Sequence, residues 1–331
     1  MEVEELLKEY SDELYSKMPN FFQYLEVINA IAGYFAQIEN YMFEEIEYSE
    51  EYNFNVDFIS LTEMCNQILN SLDTGLCKKF NKRMYDGTIN FEEDSITSMK
   101  VDNGKIDITL NRNYTIEDIF GLIHEFFHSI HIEKYNNNMH DSNWYIFTEA
   151  IAMIGELYAV LYMYKNNIMK EDLIIYIKKY LSTIFAQANN TLVTGLALEI
   201  YDKEQSLSDD SVEHFIKVKE LPSEYKNINH VLEYLDDFLF HESATYTFGF
   251  PISFIVVTKM FEDDCYKNKV ISLLENINDY SLEDLLTSLG IGDILKNENF
   301  ICSSMNYVYE ISKQLINEEQ LDVKRHLLEM R

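Results

Sequence analysis

Helix breakers are scarce in this chain: its 331 residues include only 10 Gly and 3 Pro, against the roughly 7% and 5% usual in globular proteins. Few tight turns can be built from such a composition, so long helices joined by short connections are expected. Cysteine is sparse as well. Cys65, Cys77, Cys265 and Cys302 stand far apart without a CxxC pair, which excludes a paired-cysteine metal knuckle and reads as reduced thiols in a cytoplasmic protein. Basic residues are outnumbered, 26 Lys and Arg against 57 Asp and Glu, for a formal net charge of −31. Such a surface repels phosphate backbones and anionic lipid, which argues against nucleic-acid and membrane-surface roles. The acidity either favours cationic or neutral ligands or simply keeps the chain in solution.

Long hydrophobic runs are missing too. "FGFPISFIVV" reaches about half the length of a membrane span, and "MEVEELLKEY" lacks the basic and apolar regions of a signal peptide. No GxSxG and no P-loop occurs, and the lone Gly-x-Gly of "LGIGD" marks a helix end rather than a dinucleotide fingerprint.

What is present is helical periodicity. "VEELLKEYSDELYSKM" and "FFQYLEVINAIAGYFAQIENYMFEEI" repeat apolar residues every three or four positions, which predicts an N-terminal helical region over 1–80. "GTINFEE", "SITSMKV" and "KIDITLN" then alternate like strands, with an Asn-Gly turn in "VDNGK". At "TIED", Thr115 is placed as N-cap and Asp118 to reach back. Helix dominates from there on. No linker or repeat divides the chain, so 81–331 reads as one region continuous with the first, mainly α with a small sheet just before the helix that carries the chemistry.

That helix is "GLIHEFFHSIH", residues 121–131. Positions four apart on a helix share a face about 6 Å apart along the axis, so His124 and His128 can offer two imidazole nitrogens to one ion. Glu125 lies about 100° around from His124, near enough to hold a water without being a ligand. Zn²⁺ in such a setting lowers the pKa of its water while the carboxylate takes the proton. His131 shares the face but lies about 10 Å from His124 along the axis, so it belongs to the support of the helix, as a packing residue or a partner to a ligand. A third ligand is expected from Glu149, 21 positions after His128 in "WYIFTEAIAMIGELY". Glu156, two turns on, either holds a histidine in its correct tautomer or is a solvated helix charge. His140, His214, His230 and His326 lack metal-type spacing and read as surface or loop residues.

HExxH followed by the spaced glutamate of "FTEAIAMIGE" resembles the M3 family of zinc oligopeptidases: thimet oligopeptidase, neurolysin and above all oligoendopeptidase F. "GKIDITLNRNYTIEDIFGLIHEFFHSIH" is similar to that family's strand, loop and metal helix, "FHESATYTFGFPISF" to its His/Tyr-rich loop, and "INDYSLEDLLTSLGIGDILKNENF" to its closing helices. The resemblance implies a gluzincin-type zincin fold and one Zn²⁺ per chain held by His124, His128 and Glu149. It makes Glu125 the general base and proton shuttle, with His241 and Tyr246 facing the substrate and Tyr246 donating to the oxyanion.

Three departures stand out. Phe127 replaces the motif glycine, which predicts a wider spacing between the metal helix and its neighbour. Phe248 and Phe250 stand where the family tends to carry tyrosines, leaving fewer hydroxyls for a carbonyl. The chain is shorter than is usual in the family, the shortfall falling on the N-terminal side.

An exposed strand edge, "SITSMKV" or "KIDITLN", could pair with an extended peptide; the alternative is a strand buried on both sides. The expected function is zinc-dependent endopeptidase action on short unfolded peptides. The alternatives are a processing enzyme dedicated to one leader or small peptide, or a zinc-containing peptide binder without turnover. The expected partner is a peptide, and oligomeric state stays open.

Overall fold

In the computed structural model of the protein, residues 51–102, 104–133, 142–204, 209–218, 239–276 and 282–292, with Lys8, are described. Of the expected N-terminal helical region, residues 1–50 other than Lys8 thus lie outside the described residues, while 58–72 and 74–80 are helical. Helix α1 (Phe58–Leu72) starts at Asp57, whose carboxylate accepts from Ser60 N at 2.7 Å, and buries Leu61, Cys65, Ile68, Leu69 and Leu72 along one stripe. Helix α2 (Thr74–Asp86) is capped by Asp73 and ends at Gly87 in the left-handed conformation, φ 75°, which glycine adopts without a Cβ clash.

Three strands follow: β1 (Ile89–Glu92), β2 (Ser98–Asp102) and β3 (Lys105–Asn111). Their order is β1-β3-β2, with β1 parallel and β2 antiparallel to β3. "KIDITLN" is therefore the central strand and cannot be the free edge. Ile108 and Leu110 of β3 are buried, because both neighbouring strands and the helix that follows β3 cover it. β2, in the "SITSMKV" stretch, is an edge, and Lys100 to Asp102 are exposed.

The turn into α3 (Ile116–Ile132) is held by one carboxylate. Asp118, 1% exposed, accepts from Arg112 Nε at 2.8 Å, Asn113 N at 3.0 Å and Tyr114 N at 3.0 Å. Arg112 also donates to Val56 O at 2.6 Å, tying the segment before α1 to this turn. Tyr114 sits at φ 58°, a left-handed strain that these bonds hold in place. Thr115 caps the helix as expected, accepting from Glu117 N at 3.3 Å, while Asp118 reaches back past the cap to the loop.

Helix α4 (Ser142–Lys165) is the centre of the molecule. Every residue from Ala150 to Val160 is buried, as happens when a helix is enclosed on all sides rather than on one face. It packs against α3, α7 (Leu239–Glu262) and α9 (Leu282–Ser288); α5 (Lys170–Glu204) packs mainly on α7 and also meets α3 and α4. Helices α6 (Asp209–Val218) and α8 (Asp264–Glu275) complete the described elements. Buried apolar residues from Val56 to Ile291 form one core cluster. No helix among the described residues is long and apolar enough to cross a membrane.

Two glycines bring the helices around α4 close. A Cβ at Gly155 would lie 2.4 Å from Phe127 Cδ2, and one at Gly249 of α7 would lie 3.0 Å from Ala150 N. The Phe127 ring of α3 lies in the space over Gly155 of α4, where the neighbouring helix carries no side chain.

Candidate metal centre

Helices α3 and α4 bring His124, His128 and Glu149 together, with one ligand atom from each all within 4.8 Å of one another. His124 Nε2 lies 3.4 Å from Glu149 Oε2, and His128 Nε2 lies 3.4 Å from Glu149 Oε1. These gaps are long for hydrogen bonds. They match the spacing of about 3.4 Å between two ligands each about 2.1 Å from a tetrahedral ion. Glu149 Oε2 is buried without a hydrogen-bond partner among the described residues, a costly state for a carboxylate unless a cation completes it. Two imidazoles and a carboxylate suit a borderline divalent metal. The residues fit an ion, and this group could hold one.

Behind the group, His124 Nδ1 lies 2.8 Å from Glu156 Oε2. A carboxylate only accepts here, so Nδ1 carries the proton and Nε2 is turned to the centre. Glu156 is 6% exposed, which rules out a solvated helix charge. Its other oxygen accepts from Tyr176 of α5, whose ring lies 4.1 Å from Phe120 of α3. Nothing in the linear sequence ties Tyr176 to a helix some fifty residues earlier; only its one-turn spacing from Tyr180 in "IIYIKKYL" marks a shared face.

The electrostatics follow from burial and from this ring of partners. Burial would lower the His124 pKa, but the carboxylates of Glu149 and Glu156 on either side of the ring outweigh it and hold it well above the usual histidine value. Burial would raise Glu149, yet His128 and then His124 hold it far below the usual carboxylate range. A cation bound there would take over the role of the proton they share. Glu125, half-buried, has its pKa raised, first by burial, with His124 and His128 pulling the other way. Tyr246 of α7 stacks beside His124, ring centroids 6.4 Å apart at 9°. Burial and then the carboxylates of Glu149, Glu156 and Glu125 push its hydroxyl well above the usual tyrosine value. It stays a donor.

Other expected residues fare differently. His131 is buried in the last turn of α3 and stays outside the ligand group; burial and then His128 push it down to about 3. His241 lies in the first turn of α7, with its side chain outside the described residues. The stretch "FHESATYTFGFPISF", expected as a loop, is part of that helix, because Phe248, Phe250, Ile252 and Phe254 are drawn into the core. His214 is exposed; His140, His230, His326 and Cys302 lie outside the described residues. Cys65 is buried, Cys77 half-buried and Cys265 exposed, all free.

No protein-family model and no curated protein matches the chain. Two solved structures do. One, provisionally described as a peptidase, is from Chlamydophila abortus: 14% identity, TM-score 0.57, covering 94% of this chain and 55% of that one. The other, provisionally described as an oligoendopeptidase F, is from Bacillus anthracis str. Ames: 15% identity, TM-score 0.50, covering 95% of this chain and 56% of that one. The chain spans just over half the length of each. The likeness is one of fold: a mainly helical body with a small three-stranded sheet, similar to that of these two structures.

Proposed function

We propose that the chain is a zinc-dependent peptidase of the M3 oligopeptidase type, hydrolysing short extended peptides. The observation that carries this reading is the convergence of His124 Nε2, His128 Nε2 and the Glu149 carboxylate, backed by Glu156 on His124 Nδ1. These three side chains would hold one zinc ion. Bound there, zinc supplies a Lewis acid that acidifies water and polarises a carbonyl.

The protein's own groups do the rest. Glu156 fixes the His124 ring and its tautomer. Glu125, with a pKa raised by burial, is suited to take a proton from the attacking water and return it to the leaving nitrogen. Tyr246, kept protonated, donates to the carbonyl oxygen as negative charge develops there. His241, five residues earlier on α7, joins Tyr246 by family resemblance. The outer edge of β2, which pairs only with β3 among the described strands, offers main-chain pairing to an extended peptide. Its neighbour Thr97 brings it close to the metal helix: a Cβ at Gly121 would lie 3.6 Å from Thr97 Cγ2.

The test is Glu125→Gln. Turnover of a quenched-fluorescent peptide library should fall by about a thousandfold or more, with zinc remaining near one per chain by elemental analysis. Full peptidase activity in that variant would overturn the assignment of the base. Zinc-loaded wild-type protein that captures peptides without cutting them would instead make the chain a binder.

A further inference from the structure

The hydroxyls around the ligand group are not all paired. Tyr176 and Tyr180 lie one turn apart on α5, their rings stacked 5.8 Å apart at 19°. Tyr176 donates to Glu156. Tyr180 Oη, in contrast, is enclosed with no hydrogen-bond partner among the described residues, although the residue as a whole is half-buried. The same ring leans on Phe250, 5.9 Å away at 51°, one turn after Tyr246 on α7. The Tyr180 hydroxyl is thereby held between α5 and α7, in the electric field of Glu156, Tyr246 and Glu149.

An enclosed phenol without a partner lowers stability. Phenylalanine would fill nearly the same volume without that penalty. A polar group kept unpaired beside a reactive centre is accounted for when its partner arrives with the ligand. The surroundings say what kind of atom that partner is. Both Glu156 oxygens are taken, by His124 and Tyr176. Burial and the carboxylates keep the Tyr180 hydroxyl protonated, so it donates. Glu149 and Glu156 already crowd this region with acidic groups, which disfavours a further anion. A neutral acceptor remains, and in a peptide that is a main-chain carbonyl oxygen.

We infer that Tyr180 is a further substrate-contacting residue of this centre, its buried, unpartnered hydroxyl donating to a main-chain carbonyl oxygen of the bound peptide. This rests on the peptidase reading above, and the experiment separates the two. A random octapeptide library, blocked at both ends, is passed over immobilised zinc-loaded Glu125→Gln protein and over Glu125→Gln/Tyr180→Phe, and the retained peptides are weighed by mass spectrometry. The single substitution Tyr180→Phe is assayed for turnover and for Tm.

The expected result is at least fivefold weaker capture and roughly tenfold or greater loss of kcat/KM, with Tm unchanged or raised because an unsatisfied group has been removed. Capture equal within twofold, including none by either protein, overturns the inference. So does a Tm fall of several degrees, or failure to fold, which would give the hydroxyl a structural partner. If wild-type protein cuts nothing while capture still depends on Tyr180, the hydrolase reading fails and the inference stands.

Discussion

Replacing Gly155 with alanine sets two known effects against each other. In a helix interior the substitution should gain about 1 kcal/mol from propensity alone. Here, however, the new Cβ would lie 2.4 Å from Phe127 Cδ2, 2.5 Å from Cγ and 2.7 Å from Cε2. Phe127 is fully buried and has Phe126 beside it, ring centroids 6.2 Å apart, so the ring cannot swing into solvent. Overpacking of this kind costs about 1–3 kcal/mol, and a contact through three ring atoms falls at the upper end. The clash therefore wins, leaving a net loss of about 2 kcal/mol.

Phe127→Ala alone should lose about 3–5 kcal/mol through the cavity it leaves. In that background Gly155→Ala meets no ring and should recover its propensity gain of about 1 kcal/mol. The coupling between the two sites then approaches 3 kcal/mol, the large end for residues in contact. Urea-denaturation midpoints of the four proteins measure it directly. Because Gly155 adjoins Glu156, the single variant should also bind zinc more weakly in competition with a chelator. A Gly155→Ala protein at least as stable as wild type, or a cycle that adds to zero, would refute the argument that this glycine exists to house the Phe127 ring.

Other outcomes are as definite. Glu149→Gln should bring zinc well below one per chain by elemental analysis, since the ligand set loses its only charge. Tyr246→Phe should keep its zinc but lose about 10²–10³ in kcat, as when an oxyanion donor is removed. Asp118→Asn strips the carboxylate from buried Arg112 and should cost about 3–5 kcal/mol in urea denaturation. Burial and then His128 push the His131 pKa down to about 3, so the folded state resists the proton that the unfolded chain accepts. Its contribution is present above pH of about 6.5 and is lost as pH falls toward 3, about 2 kcal/mol by pH 5. His131→Leu should flatten the stability difference between pH 7 and pH 5 by that amount; an unchanged difference would mean that His131 takes up no proton on unfolding.

Much of this was legible in the sequence because it rests on local periodicity. The i, i+4 histidines, the Thr115 cap and the strand–turn–strand before them all follow from spacing within one element. Glu149 was within reach because a ligand must come from a neighbouring helix and the next one carries few acids. What escaped depends on packing between distant elements. That Gly155 receives Phe127 needs the register of α3 on α4. That β3 rather than β2 is central needs β1, whose parallel pairing with β3 no turn signal announces. Tyr176 and Tyr180 became part of the centre only once α5 was folded against it, and the stretch around Tyr246 looked like a loop until its phenylalanines were counted into the core.

Helix α4 delivers Glu149 and Glu156 seven residues apart, and between them lie Ala150, where Gly249 of α7 approaches, and Gly155, where Phe127 of α3 rests. Small displacements of this one rod along its axis would therefore spoil the grip on any bound cation and the orientation of His124 in the same stroke. The centre is a gauge of how well the bundle is assembled. By mass action, an ion at a hundred times its Kd should in return add about 2.7 kcal/mol to the assembled state, so the metal would act as a bolt through the helices as well as a reagent.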